Sequence, residues 1–236
     1  MKVVVLGASD TLGTYLPDRS MGTFAILSRE LPALFQEPVE VSHARFYSHF
    51  PKAPEHAVTT VREREADIAI VAAHSLAFAT PSLGARLIHL FGWRVGRWIE
   101  RRIWDMDGRA KQGGLLGKIR RPVRATAYRA IGTATYATVE ETIEHYAQTV
   151  GQLARIEDLQ ILLLGTFQPR RDGELGPNRQ LNAGLASIAA ARRIGWIDRQ
   201  EIVSGLGPDA FQESGRYSSP LTHRKVADAV LAALVR

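Results

Sequence analysis

The 236-residue sequence predicts a single α/β domain: a doubly wound parallel sheet of about five strands, layered between helices. Three observations predict it. Apolar runs of strand length alternate with amphipathic stretches of helix length, the pattern of βα repetition. The runs ADIAIVAA and LQILLLG are apolar without alternation, as strands buried on both faces must be. A hydrophobic content of 45% with no linker-like break suits one large core, so residues 1–236 read as one domain.

The elements follow in order. Strand one is Val3–Leu6, and the helix after it runs from Thr23 to about Phe35. Strand two is the short segment Val39–Ala44, and strand three is Asp67–Ala73. A long helix covers Val139–Ala154, and strand four is Leu159–Gly165. A helix over Leu181–Arg192, a strand at Gly195–Asp198 and a closing helix over Leu221–Val235 complete the pattern. No internal repeat is visible.

About 60 residues separate strand three from the Val139 helix, far more than such a connection needs, so residues 82–135 read as an insert. Between Arg86 and Arg129, ten Arg and two Lys stand against three acids, a net +9 inside a chain of net +6. The segment, and not the protein, is basic. Its stretch RLIHLFGWRVGRWIERRIW carries Trp93, Trp98 and Trp104, with Arg94, Arg97 and Arg101 spaced onto one face of a helix. The glycine-rich DGRAKQGGLLGKIRRP that follows reads as a loop. A solvated arginine face over a covering helix is the plainer interpretation. The sharper ones are a lid over a pocket, a membrane-surface patch or a dock for an acidic partner. Nucleic acid is disfavoured, since no aromatic-bearing sheet or barrel of the usual binding kind accompanies the patch.

With no cysteine, the chain has no disulfide, thiol nucleophile or thiolate metal site. No apolar stretch is long enough to span a bilayer, and Lys2 leads at once into a strand, so the expectation is a cytoplasmic protein. The opening VVVLGASDTLG is similar to a dinucleotide loop, but Asp10 stands where backbone must approach pyrophosphate. Strand two also ends in Ser42, His43 and Arg45 rather than in a ribose-binding acid. No tyrosine is followed by a lysine four residues later. No cofactor is therefore expected. His43, His74, Asp10 and His49 lack any metal-ligand spacing, and no metal is expected either.

The order of segments resembles the SGNH (GDSL-type) hydrolases. LGASD resembles their first block, in which a serine nucleophile follows strand one, and ADIAIVAAHSLA resembles the third. LQILLLGTFQP, LNAGLASIAAARRIGWID and ESGRYSSPLTHRKVADAVLAAL resemble the fourth strand, the next helix–strand pair and the closing helix. The resemblance implies a flavodoxin-like three-layer fold with strand order 2-1-3-4-5. It places Ser9 at the nucleophile, Phe46 at the second-block oxyanion glycine and Leu76 at the oxyanion asparagine. In the last block it sets Ser214 at the aspartate and Tyr217 at the general-base histidine, leaving His223 as a helix residue.

Of the family's working groups only the serine persists. A serine hydroxyl needs a base within hydrogen-bond reach, and each missing oxyanion donor lowers the rate by about 10²–10³-fold. The implied strand order brings His43 and His74 to strand ends flanking Ser9. The candidate machinery is therefore Ser9 as nucleophile, His74 or else His43 as base, and Asp10 orienting the imidazole. Phe46, Ser75, Leu76, Ser214 and Tyr217 would line the pocket for a small ester or acyl ligand. Plainer roles are a helix N-cap for Ser9 and a buried polar strand end for each histidine. Two functions remain open: a divergent enzyme acting on an ester or acyl carbonyl by hydrolysis, transfer or cyclisation, or an inactive relative that binds such a ligand or a partner.

Overall fold

The computed structural model describes residues 1–8, 10–79, 81–110, 132–167, 176–213, 215 and 217–235, with backbone alone at 76, 79, 100 and 103–110. Ser9 and Ser214 lie outside the described residues. The chain divides into two compact units, one of Met1–Ser75 with Val139–Arg236 and one of Leu76–Thr138.

The first unit is the sheet unit. Its strands are β1 (Lys2–Gly7), β2 (Glu40–Arg45), β3 (Ile68–Ala72), β4 (Gln160–Leu164) and β5 (Gly195–Ile197). They lie in the order β2-β1-β3-β4-β5, and every pair is parallel. Val3, Val4, Val5 and Leu6 are all buried, as the unbroken apolar run requires. The helices of this unit are α1 (Thr23–Phe35), α2 (Ala53–Glu63), α5 (Val139–Leu153), α6 (Gly176–Arg192), α7 (Arg199–Leu206) and α8 (Pro220–Leu234); α3 and α4 belong to the second unit. Ile26, Leu27 and Leu31 of α1 join Val226, Val230 and Leu234 of α8 over one sheet face, on Val3, Val5, Ile70 and Leu162. α2 packs on α5 and α5 on α6, giving the other layer. The result is the three-layer doubly wound sheet that the sequence predicts.

Two helices of this unit escape the periodicity. α2 buries Ala53, Pro54, Ala57, Thr60 and Val61, residues too small or too polar to mark an apolar stripe. α7 has eight residues and Val203 as its buried aliphatic, and it starts because the Asp198 side chain caps the amides of Gln200 and Glu201. α6 begins five residues before the expected Leu181.

One tight feature shapes the loop after β1. Gly13 has φ +63°, and a Cβ there would lie 2.7 Å from Gly22 Cα, so only glycine fits this approach to the start of α1. Farther along, Asn182 fastens the ends of β4 and β5. Its Nδ2 donates to Thr166 O and to Asp198 Oδ1, both at 2.9 Å, and its Oδ1 accepts from Thr166 N at 2.8 Å.

The second unit holds α3 (Leu76–Ala79) and α4 (Leu83–Ala110). Ser82 and Ala134 form an antiparallel bridge, and the Tyr136 and Ala137 amides donate to Ala77 O. The stretch expected as one amphipathic helix is broken: Gly92 takes φ 74°, ψ 167° and interrupts α4. A Cβ on Gly96 would lie 2.5 Å from Ile88 Cα. Eight residues along a straight helix span about 12 Å, so the two halves of α4 fold back on each other at Gly92. Asp107–Ala110 are helical, and residues 111–131 lie outside the described residues. No helix among the described residues is long and apolar enough to cross a membrane.

Candidate active site

The order β2-β1-β3 makes the carboxyl end of β1 the switch point where connections leave to either side, and crevices open at such points. The loop after β1 is shaped by Thr11, whose amide and Oγ1 both donate to Ala8 O at 3.2 and 2.7 Å. Gly13 N donates to Asp10 O at 2.9 Å and continues the turn.

At this switch point sits Arg199, a residue that the sequence reading did not single out. Its side chain is buried. Nε donates to Gly165 O beyond β4, Nη2 to Ala73 O beyond β3, and Nη1 to Asp10 Oδ2 at 3.2 Å. The guanidinium also lies over the Phe167 ring, 5.1 Å from its centroid. Burial pulls the Arg199 pKa down, and the Asp10 carboxylate chiefly opposes that. One cation thus ties the ends of β3 and β4 to the loop after β1. The sequence held one clue: Arg199 directly follows strand five and its Asp198 cap, where an open α/β sheet meets its ligand crevice.

Asp10 is therefore engaged elsewhere than with a histidine. Its Oδ1 accepts from Ser218 Oγ at 3.1 Å and its Oδ2 from Arg199. The expected orienting role toward His74 or His43 finds no hydrogen bond among the described residues; a buried guanidinium needs a counter-charge, and Asp10 supplies it.

His74 follows β3 in an aromatic nest. Its ring meets Tyr47 edge-on at 5.2 Å and His49 at 6.0 Å, and its amide donates to Tyr146 Oη at 3.3 Å. Both ring nitrogens are buried with no hydrogen-bond partner among the described residues. Burial first, and then the Arg199 charge, push the imidazole down to about 4 against a weaker opposing effect of the Phe46 backbone. His74 is neutral at pH 7. Burial likewise pushes the Tyr146 phenol up to about 12, so it stays protonated.

His43 lies in β2, where it pairs in register with Val5. Its Nε2 is 3.2 Å from Thr11 Oγ1, and its ring meets Phe24 of α1 edge-on at 5.9 Å. Burial lowers its pKa, helped by Arg64 and Arg45, while the Ala8 backbone opposes the shift. Among the described residues no hydrogen bond or ring contact joins His43, His74 and Asp10 to one another. Each histidine has its own surroundings.

The remaining expected positions are distributed as follows. Phe46 is buried against Tyr146, ring centroids 5.9 Å apart, and its amide donates to Gly7 O at 3.1 Å. The amide that the resemblance aligns with an oxyanion donor is thus already bonded. Tyr217, in the loop before α8, stacks on Tyr15 with centroids 3.9 Å apart. Ser75 ends the sheet unit beyond β3, and Leu76 opens the second unit. His223 buries its Nδ1 against Thr23, 3.0 Å from Oγ1 and 3.3 Å from the amide. Its pKa is lowered by burial, with Asp10 opposing and Arg199 adding to the shift. Among the described residues no group of three His, Asp or Glu side chains is placed to hold a metal ion.

No family model matches the sequence, and no curated protein matches it. Solved structures do. TesA aligns with a TM-score of 0.60 at 14% identity, over 99% of this chain and 98% of its own. The lipase/acylhydrolase from Enterococcus faecalis aligns with 0.57 at 14% identity, over 98% and 94%. The psychrotrophic esterase EstA from Pseudoalteromonas sp., in a form inhibited by monoethylphosphonate, aligns with 0.56 at 10% identity, over 99% and 96%. The chain has the SGNH hydrolase-like fold of these structures.

Proposed function

We propose that the chain acts on an ester or acyl carbonyl compound at the crevice beyond β1 and β3, by hydrolysis, acyl transfer or cyclisation, with Ser9 as nucleophile and His74 as base. The observation that carries this reading is the His74 imidazole, neutral and buried beyond the strand next to β1, with neither nitrogen bonded among the described residues. An unbonded buried imidazole is costly to keep, and a transient partner such as a serine hydroxyl would explain it. The similarity in fold to esterases and lipases supports the substrate class.

In this mechanism neutral His74 accepts the Ser9 proton as the oxygen attacks the carbonyl, then returns it to the leaving group. No carboxylate stands behind the ring, because Asp10 is held by Arg199 and Ser218. The Arg199 charge opposes the imidazolium, so His74 is a weak base and turnover is slow. A fluorophosphonate probe applied to the full chain tests this. Labelling that disappears in Ser9→Ala and slows at least about tenfold in His74→Phe supports the reading, since base assistance contributes about 10²–10⁴-fold.

Asp10 and Phe46 favour a second reading, binding without turnover. The carboxylate and the amide that resemblance or proximity would assign to catalysis are both hydrogen-bonded within the protein. A serine that stays unlabelled, in a chain that still binds acyl compounds, decides for it.

A further inference from the structure

The bend in α4 gathers an unusual surface. Leu90, Phe91, Val95 and Trp98 are 50, 54, 50 and 60% exposed, and they make up half of the large exposed hydrophobics among the described residues. They fall within nine residues of sequence, on both sides of Gly92. Because Gly96 lies against Ile88, the two helical halves turn back at this point, and the four exposed side chains come from the residues on either side of it.

Arginine surrounds them. Residues 83–102 hold five Arg against one acid, Glu100. Arg94, Arg101 and Arg102 are exposed. Two guanidinium groups sit over indoles, Arg97 over Trp93 at 5.5 Å and Arg102 over Trp98 at 5.6 Å. Guanidinium is also the side-chain group whose planar fork matches phosphate, and Arg94, Arg101 and Arg102 are among the exposed ones here. Exposed apolar side chains near a bend, together with indoles and guanidinium groups, supply the three chemistries that a lipid surface offers partners for. Acyl carbon takes Leu90, Phe91 and Val95, the interface takes the indoles, and anionic headgroups take the arginines. A folded acidic protein would have to offer a groove for the convex apolar turn, whereas a bilayer deforms around it.

We infer that the α4 bend is a docking site for an anionic lipid surface, on which the second unit lies without crossing. This rests on the second unit alone and stands whether or not Ser9 reacts. Co-sedimentation of the full chain with vesicles of phosphatidylcholine, with and without about 30% phosphatidylglycerol, tests it. The expected result is binding to the anionic vesicles about tenfold or more tighter than to the neutral ones, weakening as salt is raised. The Arg94→Glu/Arg101→Glu pair removes the preference for phosphatidylglycerol, and the Phe91→Ser/Trp98→Ser pair weakens binding to anionic vesicles about tenfold or more. Trp98→Phe keeps the binding but measurably reduces the tryptophan quenching by brominated lipid, a readout that misfolding would not mimic. Equal binding to both vesicle types, binding to neither, or self-association abolished by the same substitutions overturns the inference, the last assigning the surface to a second copy.

Discussion

Arg199 Nη1 donates to Asp10 Oδ2 across 3.2 Å, joining the start of α7 to the loop after β1. Arg199 is nearly inaccessible, whereas the Asp10 side chain keeps 32% of its surface. The two ends of the pair therefore differ in what their loss means.

Arg199→Ala leaves two strand-end carbonyls and a carboxylate without their donor, and costs about 3 kcal/mol of stability, the range for breaking a buried pair. Asp10→Asn keeps a hydrogen-bonding side chain but removes the counter-charge of the buried Arg199 guanidinium, and costs about 3 kcal/mol as well. Chemical denaturation of the two variants checks both; a loss well below about 1 kcal/mol for Asp10→Asn would contradict its placement as the counter-charge of Arg199.

His74 makes stability depend on pH. Its native pKa is about 4 and its unfolded value about 6.5, so between these limits the unfolded chain binds the extra proton. Stability is then present above pH 6.5 and is lost as pH falls toward 4, by an amount on the order of 3 kcal/mol. His43 and His223, also lowered, add in the same direction. Denaturation midpoints of wild type and His74→Phe between pH 4 and 7 check this, and the variant should show the shallower slope.

The same shift sets the acid limb of any reaction that uses His74 as base. The rate should stay level down to about pH 5 and halve near the His74 pKa, not near 6.5. A profile of kcat/KM with an ester substrate reads this directly, and an inflection near 6.5 would assign the base to a better solvated imidazole.

Gly13→Ala places a Cβ 2.7 Å from Gly22 Cα at φ +63°, so the loop after β1 must move. The expected cost is about 1–3 kcal/mol, with loss of fluorophosphonate labelling. Unchanged stability and labelling together would show that the loop tolerates a side chain there.

The strands and most helices were legible because they rest on apolar runs, and Val3–Leu6 or Leu162–Leu164 admit few other interpretations, whereas the strand order came only with the resemblance. α2 was not, because its buried face is alanine, threonine and a single valine. The bend at Gly92 was missed for a related reason: arginine spacing reports a helical period but not where a glycine breaks it. At the site, resemblance pointed to the stretches after β1 and before α8, yet gave no sign that Asp10 would bond Arg199. That pairing spans 189 residues, and no local pattern encodes it.

The partners of Asp10 also fix when the site can form during synthesis. Arg199 and Ser218 reach it from 189 and 208 residues downstream, and His223 meets Thr23 from 200. A nascent chain can pair β1 with β2 and β3 long before these groups leave the ribosome, but Asp10 and Thr23 still lack their distant partners. Closure over such a separation is slow relative to local pairing. Closing the contacts of Asp10 with Arg199 and Ser218 is thus a late folding event, one that follows the building of the sheet.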